Sequence, residues 1–381
     1  MDQAPPIATS FCLLRDPRVR GRCEHQLIPI VIMALCAVIA GCNDWQQIAV
    51  FARERLDWFR RFLPIREGLN APSHDTFERL FSRLNPTVFH SCFQHWVKTI
   101  TARLGIPHIA IDGKTLRGSG DVSADLGPLH LVSAWATGVS LSLGQVAVNG
   151  KSNEITAIPK LLEFLDLKGA FVTIDAMGCQ KEIAAQVKGQ GGEYVLAVKG
   201  NQPRLLEDVQ TTLEVAMDAD DGPGVCEILT TEEQGHGRKE SRLYVVANRT
   251  EDIRDRALWP GLTSVGMCVC RREVGGVASE ETRYFISSAA LSAKGSAEVT
   301  RSHWSIENKL HWQLDVTFRE DENGVTDRHG AENLGLLRRL ALSLLKQETA
   351  KLSLACKRLR AGLSTEYLEC VLKSADNLGK V

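Results

Sequence analysis

The period of apolar positions changes twice along this chain. From Asp16 to about Arg103 apolar residues recur at helical spacing. Leu27–Cys42 carries no charge, with Pro29 early and Gly41 late, as in a capped helix. It falls short of the roughly 18–20 residues that span a bilayer, so a buried helix is expected and no membrane association. Asp44 reads as the N-cap of a helix over Trp45–Phe62, which Pro64 ends. Ser73 caps the next helix, and Pro86 breaks it before a further helix over Phe89–Leu104. Residues 1–14 show no comparable pattern and are expected to be flexible. Residues 15–104 thus form an all-helical unit suited equally to binding DNA or to oligomerising.

After Gly105 the period becomes 2. Ile109–Asp112, Leu129–Trp135 and Leu141–Val148 read as strands, followed by a helix over Ser152–Asp166. A fully apolar strand, Phe171–Ile174, a helix over Gln180–Lys188 and a strand over Tyr194–Val198 complete the order β-β-β-α-β-α-β. Between about 202 and 288 short strands dominate: Val225–Thr230, Ser241–Ala247, Leu262–Arg271 and Thr282–Ser287. Helices return near Ser292 and run to Leu372. The pattern predicts an α/β domain over 105–350 with a β-rich insertion, and a helical tail over 351–381.

Composition changes this picture little. Of 381 residues, 44% are hydrophobic and 24% charged, which is ordinary for a globular chain. The formal net charge of −1 excludes a uniformly basic nucleic-acid binder but leaves room for local patches. Such patches occur at Arg15–Arg22, Arg53–Arg61, Arg338–Arg339 and Lys357–Arg360. Each reads equally as a solvated face or as a contact for an acidic polymer. Eleven cysteines without a C-x-x-C pair read as reduced thiols of a cytoplasmic protein.

Candidate chemistry lies in carboxylates. Asp112 and Asp175 each end an apolar strand before a small residue. In Arg301–Asp321, helical spacing puts Trp304, Leu310, Leu314 and Phe318 on one side, with both Trp304 and Trp312 expected in the core. His303, Glu307 and His311 fall on another side. Three gathered carboxylates repel one another unless a cation sits among them, and magnesium or manganese prefers such oxygen ligands. Two such ions suit phosphodiester hydrolysis or transfer. Lys114, Arg117, Lys199, Asn201, Arg238, Arg301 and His303 are the candidate DNA contacts. For the first five, loop, turn or strand-end chemistry is the alternative. His236, beside Arg238, belongs to the same glycine-flanked turn.

IAIDGKTLRGS, VTIDAMGCQ, YVLAVKGNQ, GHGRKESR, HWSIENKLHWQLDVTFRED and LGLLRRLALSLLK occur in that order. Together they resemble the DDE transposases of bacterial insertion sequences, specifically the H-repeat-associated subgroup, over about residues 12–350. The resemblance implies a ribonuclease-H-like mixed sheet flanked by helices, with the β-rich insertion and the helical N-terminal unit. It matches Asp112, Asp175 and Glu307 to the family's catalytic, metal-binding triad, with two Mg2+ (or Mn2+) ions as cofactors. The implied partners are double-stranded DNA, as terminal inverted repeats and target, and further copies of the chain in a dimer or higher multimer. The implied location is the cytoplasm, at the nucleoid. Thr300, His303 and Leu314 stand where the broad family's signature has Tyr, Arg and Lys. A catalytically inactive relative that only occupies element ends or regulates expression is the alternative.

Overall fold

A computed structural model describes residues 6–19, 21–148, 154–218, 225–235 and 237–374. The helical segment contains α1 (Pro6–Ser10), α2 (Leu27–Ile39), α3 (Trp45–Glu54), α4 (Leu56–Arg60), α5 (His74–Arg83) and α6 (Pro86–Leu104). Next come β1 (His108–Leu116), β2 (Leu129–Ala136), β3 (Leu141–Val148), α7 (Glu154–Leu162), β4 (Phe171–Ile174), α8 (Lys181–Gly189) and β5 (Glu193–Val198). Then follow α9 (Pro203–Asp218), β6 (Cys226–Gly235), β7 (Arg238–Ala247), β8 (Ser264–Val274), β9 (Val277–Ser287) and α10 (Ala293–His303). Last are α11 (Trp312–Val316), α12 (Arg328–Gln347), α13 (Leu354–Leu363) and α14 (Thr365–Lys373). The fold is mixed α/β, in two compact units, and β1 belongs to both.

The first unit comprises 1–106, 113–153 and 307–381. Its hub is α12, which packs against α2, α5, α6, β2 and β3. The expected caps form: Asp44 accepts from the Gln47 amide, and Ser73 from that of Thr76. Pro86 does not separate two helices from a gap; it is the first residue of α6, capped by Asn85, because proline lacks only a donor that no helix start uses. The stretch expected to be flexible is held down from residue 6 onward. Ile7, Phe11 and Leu14 are buried at helical spacing, and Phe11 stacks on Phe89 with ring centroids 5.4 Å apart. The apolar α2 is buried almost all round, and no helix among the described residues is long and apolar enough to cross a membrane. Its carbonyl end is closed by Arg358, which donates to Val38 O at 3.0 Å and Cys42 O at 3.3 Å.

The second unit comprises 107–112 and 154–306. Here β1, β4 and β5 pair in parallel, and β9, β8, β7 and β6 extend the sheet antiparallel from β5. The region expected to be dominated by short strands starts with the 16-residue α9, and its strands run to 10 or 11 residues. Long hairpins are sustained by continuous ladder pairing, as Arg238↔Val274 to Ala247↔Val265 illustrates. Alternation fails to mark them because both faces of the outer ends are polar.

Two buried histidines set an acid limit on stability. His90 Nε2 accepts from the Gln145 amide at 3.1 Å, and burial pushes its pKa down to about 4. His108 is held at about 4 by burial and, secondarily, by His303. Unfolded histidine titrates near 6.5, so the unfolded chain binds protons that the folded chain refuses. Their contribution is complete above about pH 6.5 and is lost as pH falls toward 4. Unfolding in urea at pH 5 should therefore show about 2 kcal/mol less stability per histidine than at pH 7.5. Equal stability at the two pH values would contradict this.

Candidate active site

Parallel pairing of β1 with β4 places His108 beside Phe171 and Ile111 beside Ile174. The next residues are Asp112, which lies within β1 rather than at its end as expected because the strand continues to Leu116, and Asp175, just past the end of β4. Neighbouring strands lie about 4.8 Å apart, so two half-buried carboxylates leave the sheet side by side. Asp175 also builds its own support. Its Oδ1 accepts from the Met177 amide at 3.0 Å and from that of Gly178 at 3.4 Å, capping a 3-10 turn over Ala176–Gly178. Asn201 Nδ2 donates to Ala176 O at 2.7 Å, and Gln202 Nε2 to Cys179 O at 2.8 Å, tying that turn to the segment after β5. Gly178 leaves no room for a side chain: a Cβ would lie 2.2 Å from Ile174 Cγ2 and 3.1 Å from Ile158 Cδ1. Gly178→Ala should cost about 1–3 kcal/mol by overpacking and displace the Asp175 turn, seen as a lowered Tm. An unchanged Tm would show that the turn yields freely.

Burial raises the Asp175 pKa, and the nearby charges of Glu154 and Asp112 raise it further, against the opposing pull of the Gly178 and Met177 amides. Glu154, almost fully buried at the start of α7, had no sequence signal beyond its place in a helix's first turn. A hard divalent cation suits such a set, because it replaces carboxylate repulsion with oxygen coordination. Among the described residues, no three His, Cys, Asp or Glu side chains gather closely enough to enclose an ion. The observed donor set is the Asp112–Asp175 pair.

Glu307 lies one turn past the end of α10, on the exposed side of a π-helical turn over Glu307–His311. A π-turn inserts an extra residue per turn and is frequent at functional sites. It also explains why the regular spacing misplaces the neighbours. Leu310, Leu314 and Phe318 are buried as expected. His311 is buried whereas Glu307 is exposed, so they do not share a face. Both tryptophans expected in the core are exposed, Trp304 at 37% and Trp312 at 53%. The Arg283 guanidinium lies 4.1 Å above the Trp304 ring. His303 Nδ1 lies 2.9 Å from Thr173 Oγ1.

The basic candidates fare differently. Lys114 is buried, with Nζ 2.7 Å from Asp315, 2.9 Å from Asp321 and 3.4 Å from Glu320. Burial works against its charge, yet Glu320, then Asp315 and Asp321, outweigh it and raise the pKa. Arg117 is exposed, 3.4 Å from Asp321. Lys199 is exposed just past β5. Arg238 is exposed 3.7 Å from Glu240, Arg301 pairs with Glu233, and His236 lies outside the described residues. The basic runs at Arg338–Arg339 and Lys357–Arg358 are not surface patches. All four are buried, because they satisfy carbonyls and carboxylates inside the first unit: Arg338 donates to Asn43 O, Arg339 to Glu320 and Lys357 to Leu345 O.

Comparison with known proteins is consistent across the chain. The family described as "Transposase DDE domain" matches residues 103–344, and the one described as "DDE_Tnp_1-associated" matches residues 8–97. The chain is 39% identical over 372 residues to "Putative transposase YncI" of Escherichia coli O157:H7, covering 96% of this chain and 94% of that protein. It is 38% identical over 369 residues to "H repeat-associated putative transposase YhhI" of Escherichia coli K12, covering 94% and 96%. A shorter likeness, 32% over 68 residues, covers 18% of this chain and 79% of "Inactive transposase YbfQ" of the same strain.

Proposed function

The chain belongs to the DDE transposase family, and from that premise we propose that it is a DNA transposase that cuts and joins phosphodiester bonds at the ends of its own element. The observation that supports this reading is the pair Asp112 and Asp175, each the residue that follows the last register partners, Ile111 and Ile174, of two adjacent parallel strands. Glu307 joins them through its match to the family signature. These three carboxylates would hold two Mg2+ or Mn2+ ions, in a ribonuclease-H-like core. When bound, such ions lower the pKa of an attacking hydroxyl and neutralise charge on the scissile phosphate.

The protein groups do the rest by placement. Exposed Lys199, Arg117 and Arg238 hold the DNA backbone, a sequence-independent and salt-sensitive contribution. Arg301 exchanges Glu233 for phosphate. Lys114 and Asn201 brace the strand and turn that present the aspartates rather than meeting DNA. Water attacks the phosphodiester at the element's end and leaves a 3′-hydroxyl and a 5′-phosphate. The 3′-hydroxyl then loses its proton and attacks a target phosphodiester, breaking its bond to the target's 3′-oxygen, which takes up a proton and departs as a hydroxyl. The chain works as a dimer or higher multimer on paired ends, in the cytoplasm at the nucleoid.

The test is to incubate the purified chain with DNA carrying the inverted repeats that flank its gene, with Mg2+. Nicks ending in 3′-hydroxyls at the repeat boundary, and joined products with target DNA, are expected. Specific binding of the repeats without any cleavage would overturn the enzymatic reading and leave an inactive end-binding relative.

A further inference from the structure

The second unit holds a buried polar node that the proposed reaction does not by itself require. Thr173 on β4 is 3% exposed, and His108 at the start of β1 is 7% exposed. Thr173 Oγ1 lies 2.9 Å from His108 Nε2, 2.9 Å from His303 Nδ1 and 3.4 Å from Ile109 O. A hydroxyl has one proton, so at most one of these atoms accepts from it. At least one imidazole must therefore donate to the oxygen. Burial holds His108 neutral, which leaves its ring a single N–H to place. Three elements thus meet on one oxygen, with tautomers that depend on each other.

The location gives the node its consequence. Side chains alternate along a strand, so Thr173 shares its face with Asp175, and His108 shares its face with Asp112. His303 is the last residue of α10, one turn before Glu307. The π-turn begins at Glu307 itself, so a rotation of α10 about its own axis, about 100° per residue, changes the direction from which the chain enters that turn. Apolar packing of α10 on β4 is non-directional and tolerates such a rotation. A buried hydrogen bond does not, because breaking it strands a desolvated polar atom.

We propose that Thr173 is a positioning residue for the helix that leads to Glu307: its hydroxyl, shared by His108 and His303, fixes the rotation of α10 and so the direction from which the chain enters the turn that begins at Glu307. This inference rests on the metal-site reading above. It also gives His303 a role distinct from the DNA contact expected of it. A phosphate contact would act without Thr173, whereas a positioning bond fails when either partner is removed.

The experiment uses the full chain, with Thr173→Val, Thr173→Ser, His303→Ala and the Thr173→Val/His303→Ala double variant. Mn2+ binding is read by calorimetry and amide hydrogen exchange by mass spectrometry. Thr173→Val should weaken Mn2+ binding about ten- to a hundredfold, as loss of a group orienting a metal ligand does. It should also speed exchange across 293–311 and leave α12 unchanged. Thr173→Ser should recover both, and the double variant should lose no more than either single. Wild-type exchange in Thr173→Val, or losses that multiply in the double variant, would overturn the proposal. A wild-type chain that binds no Mn2+ would count against the metal reading alone, because exchange still decides the positioning role. Should Thr173→Val fail to fold, His303→Leu carries the same two readouts.

Discussion

Asp112→Asn is expected to abolish cleavage and joining, by at least about a thousandfold or about 4 kcal/mol of barrier, while leaving end binding intact. Asparagine preserves the shape of the side chain but removes the charge beside Asp175. Two unit charges about 5 Å apart repel by about 3 kcal/mol at an effective dielectric near 20. Without divalent cations the variant should therefore be at least as stable as the wild type. The gain should be smaller than 3 kcal/mol, because both groups are half-exposed and screened. With Mg2+ or Mn2+ the order should reverse, since an ion that binds only the folded wild type raises its Tm and cannot do the same for the variant. Thermal melts with and without metal, beside a cleavage assay, check both halves. A variant that still cuts at the normal rate, or a wild type indifferent to metal, would remove Asp112 from the site.

The second large effect concerns the buried charges behind β1. Glu320 and Arg339 are fully buried, with Arg339 Nη1 donating to Glu320 Oε1 at 3.0 Å and Arg339 Nε to Ser133 Oγ at 3.2 Å. Burial opposes ionisation of Glu320, but Arg339, then Lys114 and Arg338, more than offset it and hold its pKa below the usual range. Glu320→Ala should destabilise the first unit by about 3–5 kcal/mol, because it leaves a guanidinium buried without its counter-charge. Glu320→Leu combined with Arg339→Met should recover much of that loss, since the pair itself contributes little once its desolvation is counted. Urea unfolding measures both. Equal losses in the single and double variants would show that the cluster is not energetically coupled. Because Lys114 follows Asp112 by two residues and is held by Asp315, Glu320 and Asp321, the single variant should also blunt cleavage.

Local chemistry was legible wherever neighbours in sequence decide the outcome. Asp44 and Ser73 stand where capping puts them, since each cap depends on hydrogen bonds within a few residues, and β4 ends at Ile174 where its apolar run ends. The apolar α2 was legible as a buried helix for the same reason. Alternation failed in the outer halves of β6 to β9, where ladder partners supply the pairing energy and neither face is apolar. Around Glu307 a regular 3.6 period misplaced Trp304, Trp312 and His311, because the π-turn at 307–311 interrupts that period.

The sequence by itself determined the family and the order of strands and helices in the core. Only the tertiary structure decided that Ile111 and Ile174 are register partners, which sets Asp112 against Asp175. It alone turned Lys114, Arg338, Arg339, Lys357 and Arg358 inward, where a one-dimensional count of charge reads them as surface. The reason is range: caps and periods are written within one turn or one strand. The partner of a buried charge, such as Glu320 for Lys114 across 206 positions, is chosen by which chain segments fold against each other.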